Sequence, residues 1–145
     1  MTNDIEQILP HRKPMIMVDS LVHIERDSAT ATKTFKSGDY GLHGRHVPEP
    51  LLIECLAQTV AALNGCHAHL SGKGPARGML AGVTGFKIHS PAVADVPLEL
   101  NVTISRFIGP FCLASGQIRQ QDRLVAEGNL KFFLEEQSAD SAKPT

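Results

Sequence analysis

The stretch Pro48-Glu49-Pro50-Leu51-Leu52-Ile53-Glu54-Cys55-Leu56-Ala57-Gln58-Thr59-Val60-Ala61-Ala62-Leu63-Asn64-Gly65-Cys66-His67-Ala68-His69-Leu70 decides how this chain folds. From Leu51 to about Leu70 it is the longest apolar run. As a helix rising 1.5 Å per residue, it would extend about 30 Å. Its strongly polar members before Asn64 are Glu54, Gln58 and Thr59 alone, so apolar residues fall on every side. A helix with that pattern has to be wrapped by other structure rather than lie on a surface. A membrane span is the rival reading, and Glu54, Gln58, Asn64, His67 and His69 argue against it.

The flanking segments supply the wrapping. Before the helix, Asp4 to Leu9 fits one helical turn stopped by Pro10. Met15 to Ile24 and the Thr-rich run Ala29 to Phe35 read as strands. Residues 36–48, with Gly38, Gly41, Gly44 and Pro48, form a long loop, a kind of segment that often carries function. After the helix, Gly78 to Ile88 is strand-like. Leu98, Leu100, Val102 and Ile104 alternate with polar residues at a period of two. Phe111 to Arg119 follows Gly109-Pro110, and Gln120-Gln121-Asp122-Arg123 reads as a turn. Leu124 to Leu134 alternates again, with Leu124, Ala126, Gly128, Leu130, Phe132 and Leu134 on one side. Short connections make the last strands antiparallel. The expected fold is therefore α+β, one curved antiparallel sheet around one long helix, with edge strands that a dimer can pair. Residues 1–134 read as one domain and 135–145 as a polar, frayed tail.

Composition narrows the function. The 145 residues are 42% hydrophobic and 20% charged, which excludes a disordered or fibrous chain. A net charge of −1 lacks the basic footprint of a nucleic-acid binder. Cys55, Cys66 and Cys112 are an odd, widely spaced set, which argues against a disulfide scaffold and for a reducing cytoplasm. Met1-Thr2-Asn3-Asp4 shows no secretory signal pattern.

Few residues offer chemistry. Glu54, with Gln58 four positions on along the same helical face, reads in two ways. It is either a carboxylic acid held by an amide, able to act as a general acid, or an exposed glutamate favoured by the helix dipole. His43 and His46, in the Gly-rich loop, are either bases near neutral pH or solvated imidazoles. No third ligand is in register with them, so no metal is expected. The amides near Pro50-Leu51 offer a place to polarise a carbonyl oxygen. Gly78, Gly82 and Gly85 admit close approach of either a ligand or a packed backbone. Cys55 reads as a small core residue. His11, His23 and His89 show no pattern.

Two motifs carry a resemblance. Leu9-Pro10-His11-Arg12-Lys13-Pro14-Met15-Ile16-Met17-Val18-Asp19 resembles the L-P-H-R-x-P-x-x-x-V-D opening of β-hydroxyacyl-acyl-carrier-protein dehydratases of the FabZ type. Pro48 to Gln58 resembles their P-G-V-L-x-x-E-x-x-A-Q segment, with Glu49 in place of the Gly, and Gly85-Phe86-Lys87-Ile88 with Pro91 resembles K-F-R-x-P. The L-P-H-R-x-P-M start and E-x-x-A-Q-T-V helix also resemble the hotdog dehydratases of aryl-polyene pigment clusters. The resemblance implies a hotdog fold, dimerised edge to edge. It implies a lyase that removes water from 3-hydroxyacyl thioesters on the pantetheine arm of acyl carrier protein, in fatty-acid or polyene biosynthesis, without a cofactor. Glu54 falls on the family acid and Gln58 on its glutamine. The family's loop His stands where this chain has Tyr40; His43 is the preferred base here and His46 the second candidate. Gln58, Leu51, Gly82, Gly85 and Phe86 are expected along the substrate, and Arg12, Lys13, Arg45 and Arg77 at the acidic carrier. The partner is a second copy or a second hotdog subunit. Two other readings stay open: a hotdog acyl thioesterase in which Glu54 activates water, and a non-catalytic acyl-binding subunit.

Overall fold

Helix α2 (Glu49–Leu70) is the centre of the molecule, and a six-stranded sheet curves around it. The computed structural model describes residues 5–72 and 78–135; the expected tail from residue 136 on lies outside them. Strands β1 (Ser20–Ile24), β2 (Ser28–Lys33), β3 (Gly78–Ile88), β4 (Leu98–Ile108), β5 (Phe111–Gln120) and β6 (Arg123–Leu134) pair antiparallel in the order β1-β2-β4-β5-β6-β3. A short helix, α1 (Ile5–Ile8), packs on α2. This is the expected hotdog architecture. Among the described residues no helix is long and apolar enough to cross a membrane.

The all-round apolar pattern of α2 explains its place. Leu52, Cys55, Leu56, Val60, Leu63 and Cys66 are all buried, against the inward rows Leu98, Leu100, Val102 of β4 and Ala114, Ile118 of β5. Pro48 caps the helix, so it starts at Glu49, and Pro50 takes the second helical position, where its missing N–H costs nothing.

Four features differ from expectation for visible reasons. Residues 15–18 do not join a strand, because the Met15 C=O and Met17 N–H bond the Gln58 side chain of α2 instead. Strand β2 stops at Lys33, because the Thr34 N–H turns to the Asp19 carboxylate (2.7 Å) and Phe35 enters the core. In β6, a register shift opposite Ile118/Arg119 places Val125 fully inside beside Ala126, which breaks the expected alternation. The turn to β6 is narrower than expected: Gln121 and Asp122 carry its positive φ angles, and Gln120 is buried in β5, bonded to Val93 and Val96.

Candidate active site

Glu54 stands in the second turn of α2 with its side chain 39% exposed, neither sealed in the core nor free at the helix tip. It opens onto a cavity of about 100 Å³. The walls are Ala57, Val60 and Ala61 of α2, Gly78 and Leu80 of β3, and Phe132 and Leu134 of β6; His11, Gln58 and Asn64 complete the lining. An apolar pocket with a few convergent polar groups at one end suits an acyl chain with a polar head.

Gln58 fixes that polar end. It is 1% exposed and uses its whole amide. The Met17 N–H can only donate, so the atom facing it at 2.6 Å is Oε1. Nε2 therefore donates twice, to the Met15 carbonyl at 2.7 Å and to Glu54 Oε2 at 2.8 Å. The i,i+4 geometry of the helix brings Glu54 and Gln58 together, and the segment 15–17 locks the amide from the other side.

The chain before it brings in a third polar residue that no spacing or periodicity singled out. His11 lines the same cavity, with Nε2 3.7 Å from Glu54 Oε2. It is placed by α1: Gly65 of α2 lies so close to the Ile8 carbonyl that a Cβ would overlap it, and the chain then runs through Leu9, fully buried, to His11. The signal was its membership of the Leu9-to-Asp19 motif; no periodicity or spacing ties position 11 to position 54.

The other expected site residues lie elsewhere. His43 and His46 are exposed and close a tight bridge on each other, with N···O distances of 3.0 and 2.9 Å; His46 also bridges to Val93. Neither lines the Glu54 cavity. Tyr40 lines a separate groove with Lys33, Asp19 and Met17. Leu51 packs on Gly41 of the loop rather than on the cavity. Gly85, at φ +64, forms a bulge in β3 and lines a polar groove on the outer face of the sheet. Gly82 sits at a second β3 irregularity with open space beside it, and Phe86 covers Gly128. The helix-start amides are largely spent: Pro50 has no N–H, and Leu51 and Leu52 both donate to the Pro48 carbonyl. Arg12 and Arg45 are tied to main-chain carbonyls, Lys13 is exposed, and Arg77 lies outside the described residues. Cys55 is fully buried, and burial pushes its thiol well above the usual range, so it is an inert neighbour of Glu54.

The geometry fits what comparison with known proteins finds. The family model of the ApeP-like proteins, described as ApeP dehydratase, matches residues 3–143. A 3-hydroxyacyl-acyl-carrier-protein dehydratase FabZ from Clostridium tetani is 30% identical over 137 residues, covering 90% of this chain and 94% of that protein. Its counterpart from Listeria monocytogenes is 31% identical, covering 90% and 92%. Among solved structures, the dehydratase heterocomplex ApeI:P from Xenorhabdus doucetiae superposes with a TM-score of 0.84 at 19% identity, covering 98% of this chain and 97% of that one. A hypothetical thioesterase from Streptococcus pneumoniae, solved with coenzyme A, gives 0.62 at 13% identity, covering 81% and 86%, a likeness of fold alone. The half-buried acid, its amide clamp and the match along nearly the whole sequence make this chain a member of the ApeP-like dehydratase family, a hotdog group related to FabZ.

Proposed function

We propose that this dehydratase removes water from 3-hydroxyacyl groups carried as thioesters on acyl carrier protein, with Glu54 as the acid that protonates the departing hydroxyl. The observation that carries this reading is the Glu54 carboxyl, held by Gln58 at the mouth of an apolar cavity. An acid there meets the β-carbon of a chain whose alkyl end packs on Val60, Leu80, Phe132 and Leu134. General acid catalysis by a positioned carboxyl contributes about 10²–10⁴-fold. Gln58 keeps one oxygen of Glu54 occupied, so the other faces the substrate.

The enzyme works as a pair of hotdog subunits joined along β3. That strand is at the sheet edge, paired with β6 on one side, and exposes Met79, Leu80 and Ile88. Gly78 and Leu80 belong both to this edge and to the Glu54 cavity, so a strand added there would roof the site. The added subunit is a second copy or another hotdog chain. His43 or His46 would reach a Glu54 only across such a boundary. A carrier-borne substrate places the reaction in the cytoplasm. Exposed Lys13 would meet the acidic carrier, since Arg12 is tied to main-chain carbonyls.

The test is mass spectrometry of 3-hydroxyacyl-acyl carrier protein incubated with the purified protein. The expected product is the tethered chain less one water, and Glu54→Gln should slow its appearance at least about 10²-fold without changing the fold. Release of the free acid with no alkene would replace this reading with hydrolysis, and carrier binding with no turnover, alone or with a second hotdog chain, would replace it with an acyl-binding role.

A further inference from the structure

The outer face of the sheet, turned away from α2, is two different surfaces joined end to end. Across its middle, the paired residues of β4, β5 and β6 are polar: Thr103, Ser115 and Asn129 in one row, Asn101, Gln117 and Glu127 in the next. Such side chains suit a face that meets water. At the end where β4 turns into β5, the row is Ile108, Phe111, Phe133 and Met79, one residue from each of four neighbouring strands. Met79 is 66% exposed, Ile108 51% and Phe133 39%. Phe111 and Phe133 meet edge to face, with ring centroids 5.7 Å apart. A contiguous apolar row on an otherwise polar face marks a place where another molecule sits. We infer that a second copy of this chain docks there, outer face on outer face, about a two-fold axis that runs along the row. The inference concerns association and stands apart from the dehydration reading.

The charges around the row choose the occupant. On β6, exposed Lys131 stands two residues before Phe133, and exposed Glu135 two residues after it. Strand alternation turns all three to the same side. A two-fold axis along the row lays β6 antiparallel on its own copy, so Phe133 faces Phe133 and Lys131 of each chain faces Glu135 of the other. At about 3.4 Å per residue, both charges lie roughly 7 Å from the axis, on opposite sides of it. Packed sheets stand about 10 Å apart, a gap that a lysine and a glutamate can close together. The surface is therefore complementary to itself in charge as well as in apolar content, as an isologous interface requires. The same operation sets Leu113, the partner of Lys131 in β5, over the Gly109-Pro110 turn, where little side chain stands in the way.

Other occupants fit less well. An acidic protein or an anionic lipid surface would be drawn by Lys131 and Arg106 but repelled by Glu135, whereas a second copy meets both signs. The Lys131 ammonium already lies over the Phe111 ring, 4.9 Å from its centroid, so the cation is part of the patch rather than stretched into solvent. The contact is also distinct from pairing along the β3 edge. Edge pairing uses the backbone of β3, while docking uses side chains on the sheet face, so one particle can hold both and contain four chains. Met79 and Phe133 alternate with Leu80, Phe132 and Leu134, which line the Glu54 cavity, so the second copy would brace the far wall of that cavity from behind.

The experiment measures particle mass by light scattering behind size exclusion, with circular dichroism to confirm the fold. It compares the wild-type protein with Phe133→Ser, Lys131→Glu, Glu135→Lys and the double variant Lys131→Glu/Glu135→Lys. Ser115→Glu, in the polar part of the same face, is the control. Phe133→Ser removes the centre of the patch, and each single reversal sets like charges against each other. The expected result is a twofold fall in mass for these three and full recovery in the double variant, while Ser115→Glu keeps the wild-type mass. A wild-type protein that runs as a single chain overturns the inference. So does an unchanged mass in folded Phe133→Ser or in either single reversal, and so does a double variant that fails to recover. Wild-type protein is also floated with anionic phospholipid vesicles and co-eluted with acyl carrier protein. Binding to either that is lost in Phe133→Ser, with particle mass unaltered, gives the patch to that partner and overturns docking of a second copy.

Discussion

Gln58 Nε2 donates to Glu54 Oε2 at 2.8 Å from one helical turn away, while its Oε1 accepts the Met17 N–H at 2.6 Å. One buried amide thus joins the acid to the chain that crosses over it. Gln58→Leu keeps the volume but removes every donor and acceptor, leaving the buried Met17 N–H unpaired and the Met15 C=O without its side-chain partner. Loss of about 1–3 kcal/mol of stability is expected. Activity should fall further than stability, by about 10²-fold, because Glu54 loses its fixed orientation. Denaturant unfolding and turnover of the same preparation separate the two effects.

Gly65 tests the seating of α1. Gly65→Ala gains roughly 1 kcal/mol of helix propensity in an open context. Here the added methyl overlaps the Ile8 carbonyl, so α1 must shift, and overpacking of this kind costs about 1–3 kcal/mol. The expected outcome is a lower melting temperature together with reduced dehydration, since Leu9 and His11 move with Ile8. A variant that melts higher and turns over normally would show that α1 is free to slide.

The loop bearing His43 and His46 is tethered at Asp95. Hydrogen bonds from Ser37 Oγ (2.7 Å) and the Ser37 N–H (3.3 Å) hold its carboxyl below the usual aspartate range, helped by Arg45. A carboxyl depressed in the folded state binds fewer protons there than in the unfolded chain. Its contribution is therefore present above the ordinary aspartate range and lost as pH falls through the lowered value. Asp95→Asn should melt below wild type at neutral pH, and the difference should close on strong acidification. Melting curves across that range give the answer; a constant gap would sink the idea.

Cys55, Cys66 and Cys112 are buried, and burial raises each thiol above its usual value. Neutral thiols out of contact with water react slowly. A chromogenic disulfide reagent should leave the native protein unlabelled and active, despite Cys55 being next to Glu54 in sequence, and should label three thiols after unfolding. Rapid inactivation of the folded enzyme would contradict the burial.

What the sequence told in advance follows from which forces are local. Helix α2 was legible because a run apolar on all sides has one physical solution, enclosure. Strand β4 was legible because Leu98, Leu100, Val102 and Ile104 repeat at the pleat period. Val125 was not, because a bulge breaks the alternation and is imposed by the partner strand. Glu54 and Gln58 could be paired by counting along a helix. His11 could not, because its place depends on Ile8 meeting a notch at Gly65 and on a side-chain amide 43 residues from Met15 in sequence. The exposure of His43 and His46 was equally hidden, since a Gly-rich loop does not announce which way it folds.

The spacing of Glu54, Gln58 and Gly65 along α2 has a consequence for how such chains can change in length. Eleven residues separate Glu54 from Gly65, about three turns and roughly 16 Å of rise, so the two stand on one face of the helix. Adding or deleting a single residue between them would swing one by about 100° relative to the other and carry the acid away from the segment that the notch seats. Between these two positions the helix behaves as an indexed shaft, and its residue count should be as fixed as the identity of the acid.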